Sequence, residues 1–164
     1  HYTVTSGDLK ELIVLSNADA GRRFDFNLTL DGFDARLMED GLAQNLVQVG
    51  IRAATPDHKA KALKHGVRMI EMKEIHDPVF LKFTNPLYIS FDLDALDPAF
   101  APGVSHHEPG GLSTRQAIQI IQALKAKIVG FDIVELNASR DASGITAAAA
   151  FKLFREIAGK TIRP

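Results

Sequence analysis

The chain has 164 residues, of which 46% are apolar and 24% charged, and this composition is typical of one globular domain with a single hydrophobic core. Lys and Arg total 19 and Asp and Glu total 20, so the net charge of -1 gives no reason to expect nucleic acid or a membrane as partner. The sequence has no cysteine, which excludes disulfides and thiolate sites, and no signal-peptide pattern at its start, so we expect a cytoplasmic protein.

Short β-branched runs alternate with segments of helical periodicity along the chain. Strands are predicted over 11–16, 46–51, 67–72, 87–93 and 128–136, and most of them are nearly continuous apolar runs. Such runs are typical of strands that are buried on both faces. The alternation predicts a single α/β domain over 1–164, with an open, doubly wound and mostly parallel sheet and helices on both of its faces.

Helices are predicted over about 33–44, 56–65, 114–124 and 145–158. The second begins at a capping residue, Thr55, and the third at the capping-box pair Ser113 and Gln116. The fourth carries an apolar stripe at helical spacing, and we expect it to end at Gly159 because glycine favours helix C-termini.

A long connection over 94–112 contains three prolines and three glycines and directly follows a predicted strand. We call it the edge loop, because such loops lie at the carboxyl edge of an open α/β sheet, where ligands bind. Asp92 and Asp94 stand where the strand meets this loop. On an extended backbone their carboxylates would share one face, and a divalent ion such as manganese or magnesium would offset their repulsion. The alternative is that both cap the next turn and face solvent.

Two segments carry a family resemblance. Residues 88–112 read YISFDLDALDPAFAPGVSHHEPGGL, and residues 129–137 read VGFDIVELN. Both are similar to the ureohydrolase family of arginases and agmatinases, and the run 104–109 is most like the plant and bacterial members. With the last helix and segments further upstream, the similarity covers about 33–158.

The resemblance implies an arginase-like α/β/α sandwich with two manganese ions at the carboxyl edge of its sheet. It also implies hydrolysis of a guanidino compound, such as arginine or agmatine, to urea and an amine. Asp92 and Asp94 match aspartate ligands of the metals, and Glu135 matches the glutamate that holds the guanidinium, which makes Glu135 the expected catalytic and substrate-binding residue. We expect His106 of the edge loop to contribute to substrate binding. Family members are commonly trimers or hexamers, so a homo-oligomer is expected.

The family's earlier Asp-x-His-x-Asp motif is altered in this chain. The matching residues are Asn17, Asp19 and Gly21, which leave Asp19 as the third expected metal ligand. The resemblance also implies that the family's N-terminal strand and helix units are missing. Two hypotheses follow: a manganese-dependent hydrolase of guanidino compounds with impaired catalysis, or an inactive member with a structural, oligomeric or ligand-binding role. A nucleotide-binding domain is disfavoured, because no Gly-x-Gly-x-x-Gly or Walker-type loop follows a strand.

Overall fold

A computed structural model describes residues 12–16, 44–75 and 81–162. The strands are β1 (Leu12–Ser16), β2 (Asn45–Ile51), β3 (Arg68–Glu71), β4 (Leu87–Asp92) and β5 (Ile128–Val134). The helices are α1 (Pro56–Lys64), α2 (Thr114–Ala123) and α3 (Ile145–Ile162), with short 3-10 turns at Met72–Glu74 and Leu93–Ala95. None of the helices in these ranges combines the length and apolar content that a membrane crossing requires. The helix expected over 33–44 lies outside the described residues.

The strands form one sheet in the order β3-β2-β1-β4-β5. The pairs β2–β3 and β4–β5 are parallel, whereas β1 is antiparallel to both β2 and β4. The four strands β2 to β5 therefore point the same way, and their carboxyl ends meet at one edge of the sheet. The predicted α/β architecture with a mostly parallel sheet is confirmed, and β1 is its antiparallel strand. A continuous apolar run can face a core in either direction, so its pattern indicates a buried strand without fixing the direction.

The core lies between the sheet and the helices. Ile89 and Phe91 of β4 are fully buried, and full burial of a large apolar side chain contributes roughly 1.5–3 kcal/mol. The helix α3 packs against β5 and α2, and it buries Leu153 and Ile157 through the apolar stripe that the sequence predicted. The other face of β4 is half-buried and carries polar side chains.

Two hydroxyl groups fix the position of β4 relative to β5. The Tyr88 hydroxyl and the Ser90 hydroxyl donate to the two carboxylate oxygens of Asp132, at 2.8 and 2.6 Å. Burial, followed by the charge of Asp132, raises the pKa of Tyr88, so its hydroxyl stays a donor at neutral pH. This register pairs Asp92 with Val134 and so brings the end of β4 beside the residue that follows β5.

The helix starts agree with the sequence prediction, but one helix end does not. Capping boxes begin α1 at Thr55 and α2 at Ser113. The helix α3 continues through Gly159 to Ile162, so the expected stop at Gly159 is wrong. In the last turn, the Lys160 ammonium donates to the carbonyl of Leu124 at 2.7 Å, which holds that turn against the end of α2. Glycine permits a helix to end but does not require it.

Candidate metal and substrate site

The strand β4 ends at Asp92, one residue earlier than predicted, and the chain then enters the 3-10 turn Leu93–Ala95. An Asp92 carboxylate oxygen accepts a hydrogen bond from the Asp94 amide at 2.7 Å and so caps this turn. The expectation that both carboxylates lie on one face of an extended strand is wrong, since Asp94 belongs to the turn. The alternative, in which both cap the next turn and face solvent, is right in that Asp92 caps the turn. It is wrong for Asp94, whose side chain is only 2% exposed.

Three side chains from separate parts of the chain converge at the carboxyl edge. Asp94 comes from the turn after β4, His106 from the edge loop and Glu135 from the position directly after β5. One ligand atom from each lies within 4.8 Å of the others. The Nδ1 atom of His106 is 3.2 Å from the Oδ2 atom of Asp94. The edge loop is therefore at the predicted place, and it contributes an imidazole to a pair of carboxylates.

Glu135 has a left-handed backbone with φ of 68°, the only positive φ among the described residues other than glycine. A residue with a Cβ loses about 1 kcal/mol or more in this conformation, so the surrounding structure must compensate for it. Strain of this kind is concentrated at functional sites. In this protein the strained residue is Glu135, which directly follows β5 and forms the cluster with Asp94 and His106.

Burial and like charge act on the carboxylates of this site. Burial, followed by the charge of Asp94, raises the pKa of Asp92 well above its usual range. The same two causes raise the pKa of Glu135, while His106 opposes the shift. Three carboxylates thus repel one another in a partly desolvated place, which favours the binding of a cation there.

The edge loop is held at its middle by the segment that joins β5 to α3 and by the first turn of α3. The Asn137 amide donates to the Gly103 carbonyl at 2.8 Å, and the Gly103 amide donates to the buried hydroxyl of Thr146 at 2.6 Å. Arg140 and the Asn137 side chain contact Ser105, the residue before His106. These bonds fix the part of the loop that carries His106.

Asp97 closes the base of the edge loop. Its carboxylate accepts the backbone amides of Ala99, Gly110 and Gly111 at 2.9, 2.7 and 3.2 Å. The bond from Ala99 lowers the pKa of Asp97 most; burial opposes it, and the bonds from Gly110 and Gly111 add to the lowering, so that the pKa is below its usual value.

Asp97→Asn is expected to lower the free energy of unfolding at pH 7 by about 1 kcal/mol, because an amide replaces an ionised acceptor and the site is partly open to water. The pKa of Asp97 is lower in the folded state, so its stabilisation is complete above the unfolded pKa and is lost as pH falls through the folded pKa. Urea denaturation at pH 7 and at about pH 3 measures the difference between variant and wild type. The difference in unfolding free energy should be smaller at the lower pH. The stabilising role of the Asp97 carboxylate is contradicted if the difference is the same at both pH values, or if the exposed control Asp57→Asn gives the same result.

The structure brings together Asp92, Asp94, His106 and Glu135 from the predicted set. Asp19 lies outside the described residues. Sequence reasoning gave no role to Arg52, which follows β2 and donates to the Asp94 carbonyl at 2.5 Å. Its position was the available signal, because the carboxyl ends of β2 and β4 share an edge.

The fold and the site define an α/β protein with a carboxylate and histidine cluster at the carboxyl edge of its sheet. Residues 22–159 match the model of the arginase family. The chain belongs to the arginase family.

The curated relatives include plant arginases and two other enzymes. The mitochondrial arginase of Medicago truncatula is 49% identical over 134 residues, which cover 77% of this chain and 40% of the relative. A guanidinopropionase of Pseudomonas aeruginosa is 39% identical over 126 residues, which cover 68% of this chain and 40% of that enzyme. The chain therefore spans about 40% of the length of these relatives.

Solved structures agree with the family assignment. Arginase from Medicago truncatula has a TM-score of 0.71 at 47% identity, and the match covers 77% of this chain and 43% of the arginase chain. An arginase-like protein of T. brucei, as a triple mutant bound with Mn2+, has a TM-score of 0.73 at 31% identity. This match covers 79% of this chain and 47% of the T. brucei chain.

Proposed function

We propose that this chain carries part of a ureohydrolase site, in which Asp92 and Asp94 are ligands of manganese and Glu135 binds the guanidinium of an arginine-like or agmatine-like compound. The convergence of Asp94, His106 and Glu135 within 4.8 Å supports the proposal most directly. Membership of the arginase family supports the reaction class. The names of the relatives extend the substrate class to guanidinopropionate and N(1)-aminopropylagmatine.

The residues present fit a manganese ion. Carboxylate oxygens and an imidazole nitrogen are donors that Mn2+ accepts, and the buried Asp94 carboxylate gives the cluster a desolvated negative charge. When bound, the metal would lower the pKa of a coordinated water and supply hydroxide at neutral pH. Asp92 and Asp94 are the described carboxylates that we assign to the ion. Asp19 stands as the proposed third aspartate ligand from the sequence alone.

Glu135 suits a planar cation. Two carboxylate oxygens can accept two parallel N–H bonds from a guanidinium, and a cationic ligand would offset the repulsion that raises the pKa of Glu135. In the hydrolysis, water adds to the guanidinium carbon, one C–N bond breaks, and the amine leaves with a proton while urea forms. Glu135 would orient the carbon, and His106 would lie beside the same group.

We further propose that hydrolysis is slow. The segment that matches the family's early metal motif has Asn17 and Gly21 at positions where the family has aspartates. Asparagine brings no charge and glycine brings no side chain, so the negative charge available for two dications is reduced. The same substitutions favour the second candidate, an inactive family member that binds a guanidino ligand without hydrolysing it.

Manganese titration and urea release together test these proposals. Electron paramagnetic resonance of free Mn2+ is expected to show saturable binding. Calorimetry with arginine, agmatine and guanidinopropionate is expected to show binding that Glu135→Gln abolishes and that the exposed control Glu74→Gln retains. Slow, manganese-dependent urea release supports the enzyme, and binding without urea supports the inactive member. Failure to bind both manganese and every guanidino compound contradicts the whole proposal.

A further inference from the structure

Arg52 has an unusually complete set of hydrogen-bond partners. Its Nε donates to the Glu108 carbonyl at 2.8 Å. One terminal nitrogen donates to the carbonyls of Gly50 and Ala95, both at 3.3 Å. The other donates to the carbonyls of Asp94 and Leu96, at 2.5 and 3.3 Å. A guanidinium has five N–H groups, and all five find a backbone acceptor here.

These acceptors lie on different parts of the site. Three of them are consecutive carbonyls of the turn that carries Asp94, and a fourth, Glu108, lies two residues after His106 in the edge loop. Arg52 itself follows β2, so its side chain connects three carboxyl-edge segments. Glu108, Asp94, Asp97 and Asp92 also surround it with negative charge.

We propose that Arg52 is a positioning residue, which holds two parts of the edge loop together: the turn that carries Asp94 and the stretch 105–112 that carries His106. In this arrangement Asp94 can bind the metal while His106 lies beside the guanidino ligand. The inference rests on the proposed function for its consequence, because Asp94 is the proposed manganese ligand. Backbone bonds of Leu112 to Ala95 and Asp97 already join the far end of the loop to this turn. The Glu108 carbonyl and the carbonyls of the turn cannot bond to one another, so a multivalent donor such as Arg52 is needed to join them near His106.

Lysine is the informative replacement. It keeps the charge, but its ammonium has three donors at one point and cannot reach the two stretches with the geometry of a planar fork. Arg52→Lys and Arg52→Gln are therefore compared with wild type and with Arg155→Lys, which changes an exposed arginine of α3 in the same way.

Hydrogen exchange followed by mass spectrometry on the metal-free protein is the first readout. Peptides that cover 93–97 and 105–112 are expected to exchange about tenfold faster in both Arg52 variants, while the peptide 149–157 of α3 stays as in wild type. In Arg155→Lys no peptide should change. Equal acceleration in all peptides, or unfolding of both variants, would show a merely structural role and overturn the inference. Unchanged exchange in the two stretches would overturn it too.

Manganese affinity is the second readout. Outer-shell partners of metal ligands typically alter affinity by about 10- to 100-fold, and we expect a dissociation constant at least about tenfold higher for Arg52→Gln, with Arg52→Lys in between. An affinity equal to wild type in both variants overturns the inference. If wild type itself binds no manganese, the metal part of the proposed function fails, and the exchange readout still decides whether Arg52 positions the two stretches.

Discussion

Gly103→Ala is expected to lower the free energy of unfolding by about 3 kcal/mol, as measured by urea denaturation. A Cβ at this position would lie 2.3 Å from the Cβ of Asp141 and 2.9 Å from its Cα, so backbone and not only a flexible side chain would have to move. Asp141 cannot move at little cost, because its carboxylate accepts the amides of Thr146 and Ala147 at 3.0 and 2.8 Å and caps α3. The substitution therefore combines overpacking with loss of a cap.

The same substitution at Gly159 is the matched control. Gly159 lies inside α3, has no neighbouring atom within 4 Å of the place that a Cβ would take, and adopts no positive φ. Alanine should therefore stabilise the helix by roughly 0.5–1 kcal/mol. Gly103→Ala is expected to lower the urea concentration at the midpoint of unfolding, and Gly159→Ala is expected to raise it. A Gly103→Ala protein as stable as wild type would show that the edge loop does not approach Asp141 as closely as described.

The strands were predictable because most of them are nearly continuous apolar runs between turn residues. Their bounds agree with the structure to within two residues, for instance in β4 and β5. The direction of β1 was not predictable, since its apolar pattern reads the same in both directions. The end of α3 was not predictable either, because the contact that holds its last turn is made by Lys160 with a residue 36 positions earlier.

The candidate site was predictable to the extent that its residues lie in recognisable motifs. Asp92, Asp94 and Glu135 were identified on the resemblance, and the structure gathers them with His106. The 3-10 turn that separates the two aspartates was missed, because an Asp-x-Asp spacing fits a strand and a capped turn equally well. Arg52 was missed for a different reason: four of its five partners are backbone carbonyls more than 40 residues away, which leave no side-chain pattern in the sequence.

Asp94→Asn is expected to raise the dissociation constant for manganese by about 100-fold or more, exceeding the range typical of outer-shell partners. The variant should also raise the free energy of unfolding of the metal-free protein by roughly 0.5–2 kcal/mol. The reason is that Asn keeps the shape of Asp94 but removes a buried charge that acts on Asp92 and Glu135. Manganese titration and urea denaturation in the presence of a chelator measure the two effects separately.

Asp132→Asn provides the comparison, because this aspartate lies on the neighbouring strand β5 and accepts the hydroxyls of Tyr88 and Ser90. Its replacement should lower the free energy of unfolding by roughly 1–3 kcal/mol, since two charge-assisted hydrogen bonds are weakened. Manganese affinity should change far less than in Asp94→Asn, as Asp132 is outside the cluster of Asp94, His106 and Glu135. The two variants thus move stability in opposite directions. If Asp94→Asn instead destabilises the metal-free protein while leaving manganese binding intact, then Asp94 is a structural residue and the metal site lies elsewhere.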